Sequence, residues 1–299
     1  MKVLVTGGAG LVGMNLRLEL ARRGHEVIAT DITAFDRDDP ELVQMPLDDV
    51  DSLETVVKEG RIEAIVHAGA ISGPMMLRDD PAAIVRTNIT ATAGIIDVAR
   101  RLSVPRFVFC SSISVYGDGG PTILNEDAPL RPSSLYGASK VAGEQLLRGF
   151  AADHGMSGVS LRIARVYGPY RRGNCPIQSM LEAGANGREL ELVGDASFPY
   201  HFIHVDDVVE AIISALELQQ VGVAEFNVAA PVAQTLPEIV AAAREVMPGL
   251  SVRIVAGEND VPDFQRGFDI VRAAATLDWR PRIDLLSGIQ KYRLFLGLS

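Results

Sequence analysis

The stretch TGGAGLVG, residues 6–13, joins the apolar run KVLVT to a helical pattern from Leu11 to Arg23. Gly7, Gly10 and Gly13 recur at intervals of three within it. Glycine accepts the left-handed backbone of a tight turn and lets one main chain approach another, and a helix start presents N–H groups with no partner of their own. A strand, a glycine turn and a helix in this order form a cradle for a pyrophosphate, the arrangement on which dinucleotide-binding βαβ units are built. A tight turn with no ligand is the plainer alternative.

The alternation continues along the chain. EVIATD precedes a helical stretch from Asp49 to Glu59, AIVHAGA precedes Pro81 to Leu102, RFVFCSS precedes a helix reaching about His154, and VSLRIARVYG closes the series. These strands are almost unbroken apolar runs, as required when helices cover both faces of a parallel sheet. The expected fold is therefore α/β, a Rossmann-like doubly wound parallel sheet. After Gly168 the regularity gives way to GPYRRGNCP, a helix from about Ile177, a strand in LELVG, a strand end and helix in HFIHVDDVVEAIISALE, and strands in AEFNVAA and SVRIVA. Residues 1–166, rejoined by about 202–230, are expected to form the nucleotide lobe. Residues 167–201 and 231–299 would form a smaller α/β substrate-binding lobe.

Charge and cysteines narrow the partners. A formal charge of −10 and a pI near 5.0 oppose nucleic acid, which needs a basic footprint. Cys110 and Cys175 lack metal-ligand or disulfide spacing, so no metal site is expected, and a reducing cytoplasm fits. No apolar signal segment or membrane-length run is found, and no membrane association is expected.

Asp31 ends the second strand at the interval where a carboxylate accepts both ribose hydroxyls of NAD and repels the 2′-phosphate of NADP. A solvated strand-end aspartate is the alternative, and Arg37 is a nearby guanidinium that suits a phosphate. In SSLYGASK, Tyr136 and Lys140 stand four apart and share one helix face. Taken alone, such a pair is ordinary helix surface. Ser112 closes RFVFCSS at the carboxyl end of a parallel strand, where open α/β sheets bind their ligands.

These motifs together resemble the extended short-chain dehydrogenases of the NAD-dependent epimerase/dehydratase family. The similarity runs through TGGAGLVG, VHAGA at Val66 to Ala70, Asn88, CSSISVYG at Cys110 to Gly117, Tyr136 with Lys140, LRIARVYGP at Leu161 to Pro169, HFIHVDDVV at His201 to Val209, and LDWRP at Leu277 to Pro281. It covers nearly the whole chain. The resemblance implies that Ser112, Tyr136 and Lys140 are catalytic. For the cofactor, NAD, it implies Gly7, Gly10, Leu11, Val12, Gly13, Asp31, Leu47, Ala68, Gly69, Ala70, Asn88, Ser111, Tyr136 and Lys140. A free phenol ionises near pH 10 and needs a neighbouring cation to serve as a base at neutral pH. Tyr136 would then take a hydroxyl proton while Lys140 holds the nicotinamide ribose and Ser112 bonds the developing carbonyl. Asn88 would support Lys140 or its own helix, and His67 is read as a positioned neighbour with no chemistry. A homodimer is a further family-level expectation.

The chain also departs from the family pattern. Ile113 and Ser114 occupy the places where the dehydratases carry Asp-Glu, which argues against sugar dehydration. Arg165 replaces a common Asn, and Tyr200 and His201 replace an Arg-Asp pair that helps hold the diphosphate of nucleotide sugars. Pro46 stands where many relatives place an adenine-binding aspartate, leaving backbone at Leu47. Substrate contacts are therefore expected from Ser112, Tyr136, Arg165, Arg171, Tyr200 and His201, with Arg165, Arg171 and Arg172 forming a basic patch suited to an acidic sugar or sugar phosphate; solvated loop charges at Arg171 and Arg172 are the alternative. The leading expectation is NAD-dependent oxidation of a secondary hydroxyl of a sugar or sugar acid. The alternative is a nucleotide-sugar 4-epimerase resembling UDP-glucose 4-epimerase, and a non-catalytic NAD-sensing protein is more remote.

Overall fold

Within the first strand, Val3 and Val5 face one layer and Leu4 the other, and all three are completely buried. Such a segment must lie inside a sheet covered on both sides. The structure, a computed structural model, describes residues 1–35, 39, 41–73, 79–173, 175–219, 222–259, 261 and 263–298. Arg37 lies outside the described residues.

The first part of the chain runs β1 (Lys2–Thr6), α1 (Leu11–Arg22), β2 (Glu26–Asp31), β3 (Leu42–Gln44), α2 (Val50–Gly60), β4 (Ala64–His67), α3 (Pro81–Val85), α4 (Ala91–Arg101), β5 (Arg106–Ser112), β6 (Gly120–Leu124), α5 (Leu135–His154), β7 (Gly158–Ile163) and β8 (Arg165–Tyr167). The second runs α6 (Pro176–Ala185), β9 (Glu189–Val193), β10 (Phe202–His204), α7 (Val205–Glu217), β11 (Val223–Val228), α8 (Leu236–Val246), β12 (Ser251–Val255), β13 (Gln265–Phe268), α9 (Val271–Thr276) and α10 (Leu285–Phe295).

Among the described residues the main sheet has seven parallel strands in the order β3-β2-β1-β4-β5-β7-β11. Chain direction across the sheet reverses between β1 and β4, the switch point at which such sheets open a crevice. Val3, Val5, Val66, Val108 and Leu161 pack with α1 and α7 on one face. Leu4, Ile65, Phe107 and Phe109 pack with α2, α4 and α5 on the other. The doubly wound arrangement follows from that two-sided burial.

A second apolar cluster joins Ile177 and Met180 of α6, Ile239 and Ala243 of α8, and Ile289 and Tyr292 of α10, beside Tyr167 and Phe202. The expected smaller lobe included all of 231–299; within that stretch, Phe268, Ala273, Leu277 and Trp279 pack in the larger core. The tie is polar as well as apolar. Trp279 Nε1 donates to the Asp207 carbonyl at 2.9 Å, and the Asp207 carboxylate accepts from the N–H groups of Arg282 and Ile283 at 2.9 and 3.1 Å.

The single helix expected over Pro81 to Leu102 is instead α3, a π-helical turn at Arg86–Thr90, and α4. Thr92 Oγ1 donates back to the Asn88 carbonyl at 2.8 Å, the kind of side-chain competition that distorts a helix, and π turns recur at functional sites. Short strands β3, β6 and β13 carried no periodic signal. No described helix is long and apolar enough to cross a membrane, and no described cluster of His, Cys, Asp and Glu could hold a metal.

Candidate active site

Gly7, with φ of 68°, turns the chain from β1 toward α1. A Cβ there would lie 2.6 Å from the Gly69 Cα, and one on Gly13 would lie 2.1 Å from the Gly7 carbonyl oxygen. The switch-point crevice is thus lined by bare backbone from β1 and from the end of β4. Gly8, missed in the sequence reading, has the same need, because its Cβ would fall 2.5 Å from that of Ala29. Gly10 caps α1 without a side-chain bond, so the N–H groups at Leu11 and Val12 open directly onto this cradle.

Asp31 closes one end of the cradle. Its Oδ2 accepts from Ala9 N–H at 3.0 Å and its Oδ1 from Ile32 N–H at 2.7 Å, which fixes the carboxylate beside the glycine turn. Leu47 covers Gly69, where an added Cβ would meet its methyl carbons at 2.9 Å. Close backbone, a helix start and a fixed carboxylate are the features a dinucleotide requires, so the residues present fit NAD.

Beneath Ala68, Gly69 and Ala70 runs a chain of hydrogen bonds through His67. Gly69 N–H donates to Thr6 Oγ1 (3.2 Å), which meets His67 Nδ1 (2.7 Å), and His67 Nε2 meets Thr92 Oγ1 (2.9 Å). Thr92 already donates to Asn88, so Nε2 carries the imidazole proton and Nδ1 accepts from Thr6. Burial, assisted by the Lys140 charge, pushes the His67 pKa down to about 3. His67 is a neutral strut under the cradle.

The helix bearing Tyr136 starts where Ser134 accepts from Gly137 N–H at 3.1 Å. Gly137 packs so closely on the turn after β5 that a Cβ would lie 2.4 Å from the Ser114 carbonyl. Half-buried Tyr136 and buried Lys140 flank that contact on α5, and Ser112 lies two residues before Ser114 on the other side of it. Lys140 Nζ donates to the Cys110 carbonyl (2.8 Å) and lies 5.7 Å from the Tyr136 ring centroid. Burial pushes the Cys110 thiol up to about 12, leaving it inert. Ser112 Oγ accepts from Ser114 N–H at 3.2 Å.

Asn88 touches this group through neighbours. Its Oδ1 accepts from Ile71 N–H (2.8 Å), and its Nδ2 donates to the Ile71 carbonyl (3.0 Å) and to Ser139 Oγ (3.1 Å), which in turn donates to the Tyr136 carbonyl (2.7 Å). It thus ties the loop after β4 to the first turn of α5. Ser111 turns the opposite way from Ser112 and donates to Glu144 at 2.6 Å, so its backbone is what remains for a cofactor.

On the substrate side, Arg165 stacks its guanidinium 5.0 Å from the Phe202 ring centroid and 5.8 Å from that of Tyr200. Tyr200 is buried, with its hydroxyl donating to Asn259 at 3.3 Å. Buried His201 donates from Nε2 to the Gln265 carbonyl at 2.7 Å, and burial lowers its pKa. The side chain of Gln265 ties this strand to the carbonyls of Ile113 and Gly117 beside Ser112. Arg171 donates to the Val166 carbonyl at 3.1 Å. Arg172 points elsewhere, donating to the Ala34 carbonyl at 3.2 Å and lying 4.2 Å over Phe35, so the expected three-arginine patch is divided.

A model of the NAD dependent epimerase/dehydratase family matches residues 3–229. A UDP-glucose 4-epimerase of Mycolicibacterium smegmatis is 30% identical over 97% of both chains. The solved structure of MoeE5 in complex with UDP-glucuronic acid and NAD is 30% identical, with a TM-score of 0.89 over 99% of each chain. That of Thermus thermophilus UDP-glucose 4-epimerase in complex with NAD is 26% identical, with a TM-score of 0.88 over the same share.

Proposed function

Because the chain belongs to the NAD dependent epimerase/dehydratase family, we propose that it is an oxidoreductase acting on a secondary hydroxyl of a sugar or sugar acid, with Tyr136 as the base. The observation that carries this reading is the placement of Lys140 Nζ, which is bonded to the Cys110 carbonyl two residues before Ser112 ends β5 and lies 5.7 Å from the Tyr136 ring centroid. Bound in that cradle, NAD supplies the hydride acceptor. Tyr136 takes the proton from the hydroxyl oxygen borne by the substrate carbon that is being oxidised, as the hydride leaves that carbon. Lys140 balances the charge on the tyrosyl oxygen while it acts, and Ser112 offers a hydrogen bond to the oxygen that becomes a carbonyl.

The substrate class rests on Tyr200 and His201. In this family those positions hold diphosphate through Arg and Asp; here they are a buried phenol bonded to Asn259 and an imidazole whose Nε2 is held by a backbone carbonyl. Neither supplies the cation that a diphosphate calls for. Arg165, lying 5.0 and 5.8 Å from the centroids of two neighbouring aromatic rings, suits a single carboxylate better.

A second reading, sugar-nucleotide 4-epimerase, is favoured by the full-length relative from Mycolicibacterium smegmatis. A panel of aldonic and uronic acids, free sugars and UDP-sugars separates the two. Stoichiometric NADH supports the dehydrogenase, while an isomer formed without net NADH replaces it with the epimerase. In either case Tyr136→Phe should keep NAD binding and lower turnover by about 10²–10⁴-fold. Full activity in that variant would remove Tyr136 from the chemistry.

A further inference from the structure

Behind the reacting pair, α5 carries Tyr136, Lys140, Glu144 and Arg148 at intervals of four, so the four side chains share one face. Two consecutive residues of β5 meet the middle two. Lys140 is held by the Cys110 carbonyl and Glu144 by the Ser111 hydroxyl, immediately before Ser112. Glu144 is 0% exposed and Arg162 of β7 is 1% exposed. Arg162 grips both carboxylate oxygens, at 3.0 and 2.8 Å, and its other nitrogen donates to Tyr116 Oη (2.9 Å) and the Glu126 carbonyl (2.8 Å). Tyr116 passes the contact on, donating to Asn227 at 2.6 Å.

Apolar side chains of similar volume would fill such a site at least as stably as a buried ion pair does. Its placement one helical turn below Lys140 therefore asks for a reason other than stability. We infer that Glu144 is a positioning residue that acts on the Tyr136–Lys140 pair through its charge: as the counter-ion of Arg162, which joins α5 to β7, it leaves no net charge behind the reacting groups. The inference rests on the reading of Tyr136 as base.

The surrounding groups leave this balance intact. Cys110 and His67, facing Lys140 from the sheet, are held uncharged by burial. Arg148 pairs with Glu225 at 2.7 Å, and Arg272 lies 3.6 Å from Glu126 and 2.6 Å from Asp127. Asp263, bonded to Ser133 just before α5, and Asp118 near it carry negative charge that the substitutions below do not alter.

Glu144→Gln keeps the shape of the side chain and leaves Arg162, which stays protonated, without its counter-charge. Tyr136 lies eight residues away, about 12 Å along the helix axis. One unbalanced charge at that distance, with an effective dielectric constant of about 20, moves a titration by roughly one pH unit at most. The test is an ultraviolet difference titration of the cofactor-free protein, with the same titration in a Tyr136→Phe background subtracted. The tyrosinate band of Glu144→Gln should develop about 0.5–1 pH unit lower than in the parent. Glu144→Gln combined with Arg162→Met, neutral again, should return it to the parent position. An unmoved band in folded Glu144→Gln, or a displaced band in the double variant, overturns the inference. If Glu144→Gln does not fold, Arg162→Met alone leaves Glu144 unbalanced and should move the band about 0.5–1 pH unit upward, and an unmoved band there overturns the inference. Because neither cofactor nor substrate enters the measurement, its outcome is separate from that of the turnover assays.

Discussion

His67 allows a quantitative test of the floor beneath the cofactor cradle. Burial lowers its pKa from 6.5 to about 3 in the folded protein, with the Lys140 charge acting in the same direction. The unfolded chain therefore binds a proton that the folded chain refuses. Stability attached to His67 is whole above about pH 6.5, is lost as pH falls through the window below it, and stops falling only beneath about pH 3. At pH 5.0 the unfolded imidazole is almost fully protonated and the folded one hardly at all, a linkage loss of roughly 2 kcal/mol relative to pH 7.5. His67→Gln removes the titration while keeping a donor and an acceptor between Thr6 and Thr92. Urea unfolding at pH 7.5 and 5.0 should show the parent losing about 2 kcal/mol more than the variant between the two conditions. His204, lowered to about 4 by burial against the opposing charge of Asp206, contributes to both proteins and cancels in the difference. Glu19, held at about 2, titrates below the window. Equal pH losses in parent and variant would refute the neutral strut and reopen His67 as a proton carrier.

Two further substitutions probe the frame. Gly13→Ala sets a methyl 2.1 Å from the Gly7 carbonyl oxygen, where ordinary contact begins at 3.4 Å, so backbone must give by about 1.3 Å. Calorimetry should show NAD affinity reduced by tenfold or more with the circular dichroism of the fold retained, and parent-like affinity would show that the cradle does not need this approach. Asp207→Ala leaves the N–H groups of Arg282 and Ile283 without their acceptor and should cost about 1–3 kcal/mol in urea unfolding, with NAD affinity nearly unchanged. A loss of affinity as large as that of Gly13→Ala would place Asp207 in the site instead of the frame.

The parts of this site that were readable in the sequence are those whose physics is local. Gly7, Gly10 and Gly13 announce themselves because one turn needs all three within seven residues, and Tyr136 and Lys140 because a helix brings i and i+4 together. The strands of the main sheet were readable because burial on both faces leaves unbroken apolar runs. Glu144 and Arg162, 18 residues apart in sequence, sit on different elements and meet only when α5 packs beside β7. Asn227 reaches Tyr116 from 111 residues away, and β6 pairs with β13 across a still longer span, Gly120 with Gln265. No periodicity records such contacts. The π turn at Asn88 was hidden for a different reason: the segment has ordinary helical composition, and Thr92, bonding both His67 and the Asn88 carbonyl, accompanies the distortion.

The same distinction bears on why chemistry is easier to read here than substrate. The groups proposed for proton transfer stand on β5 and α5, whose mutual position is fixed by the Lys140–Cys110 and Glu144–Ser111 contacts and by the bare backbone of Gly137. The groups proposed for substrate specificity stand on β8 (Arg165) and immediately before β10 (Tyr200 and His201), beside a separate two-stranded sheet resting on the second apolar cluster. Arg165 and Phe202 are direct partners in that sheet, and Tyr200 bridges to Gln234 in the segment leading into α8. Substitutions on that side can therefore change which molecule is held without disturbing β5 or α5. In the reading proposed above, Arg165, Tyr200 and His201 depart from the family pattern on the substrate side, while Ser112, Tyr136 and Lys140 keep it on the other. A change of substrate with conserved proton chemistry is the outcome that this division of elements favours.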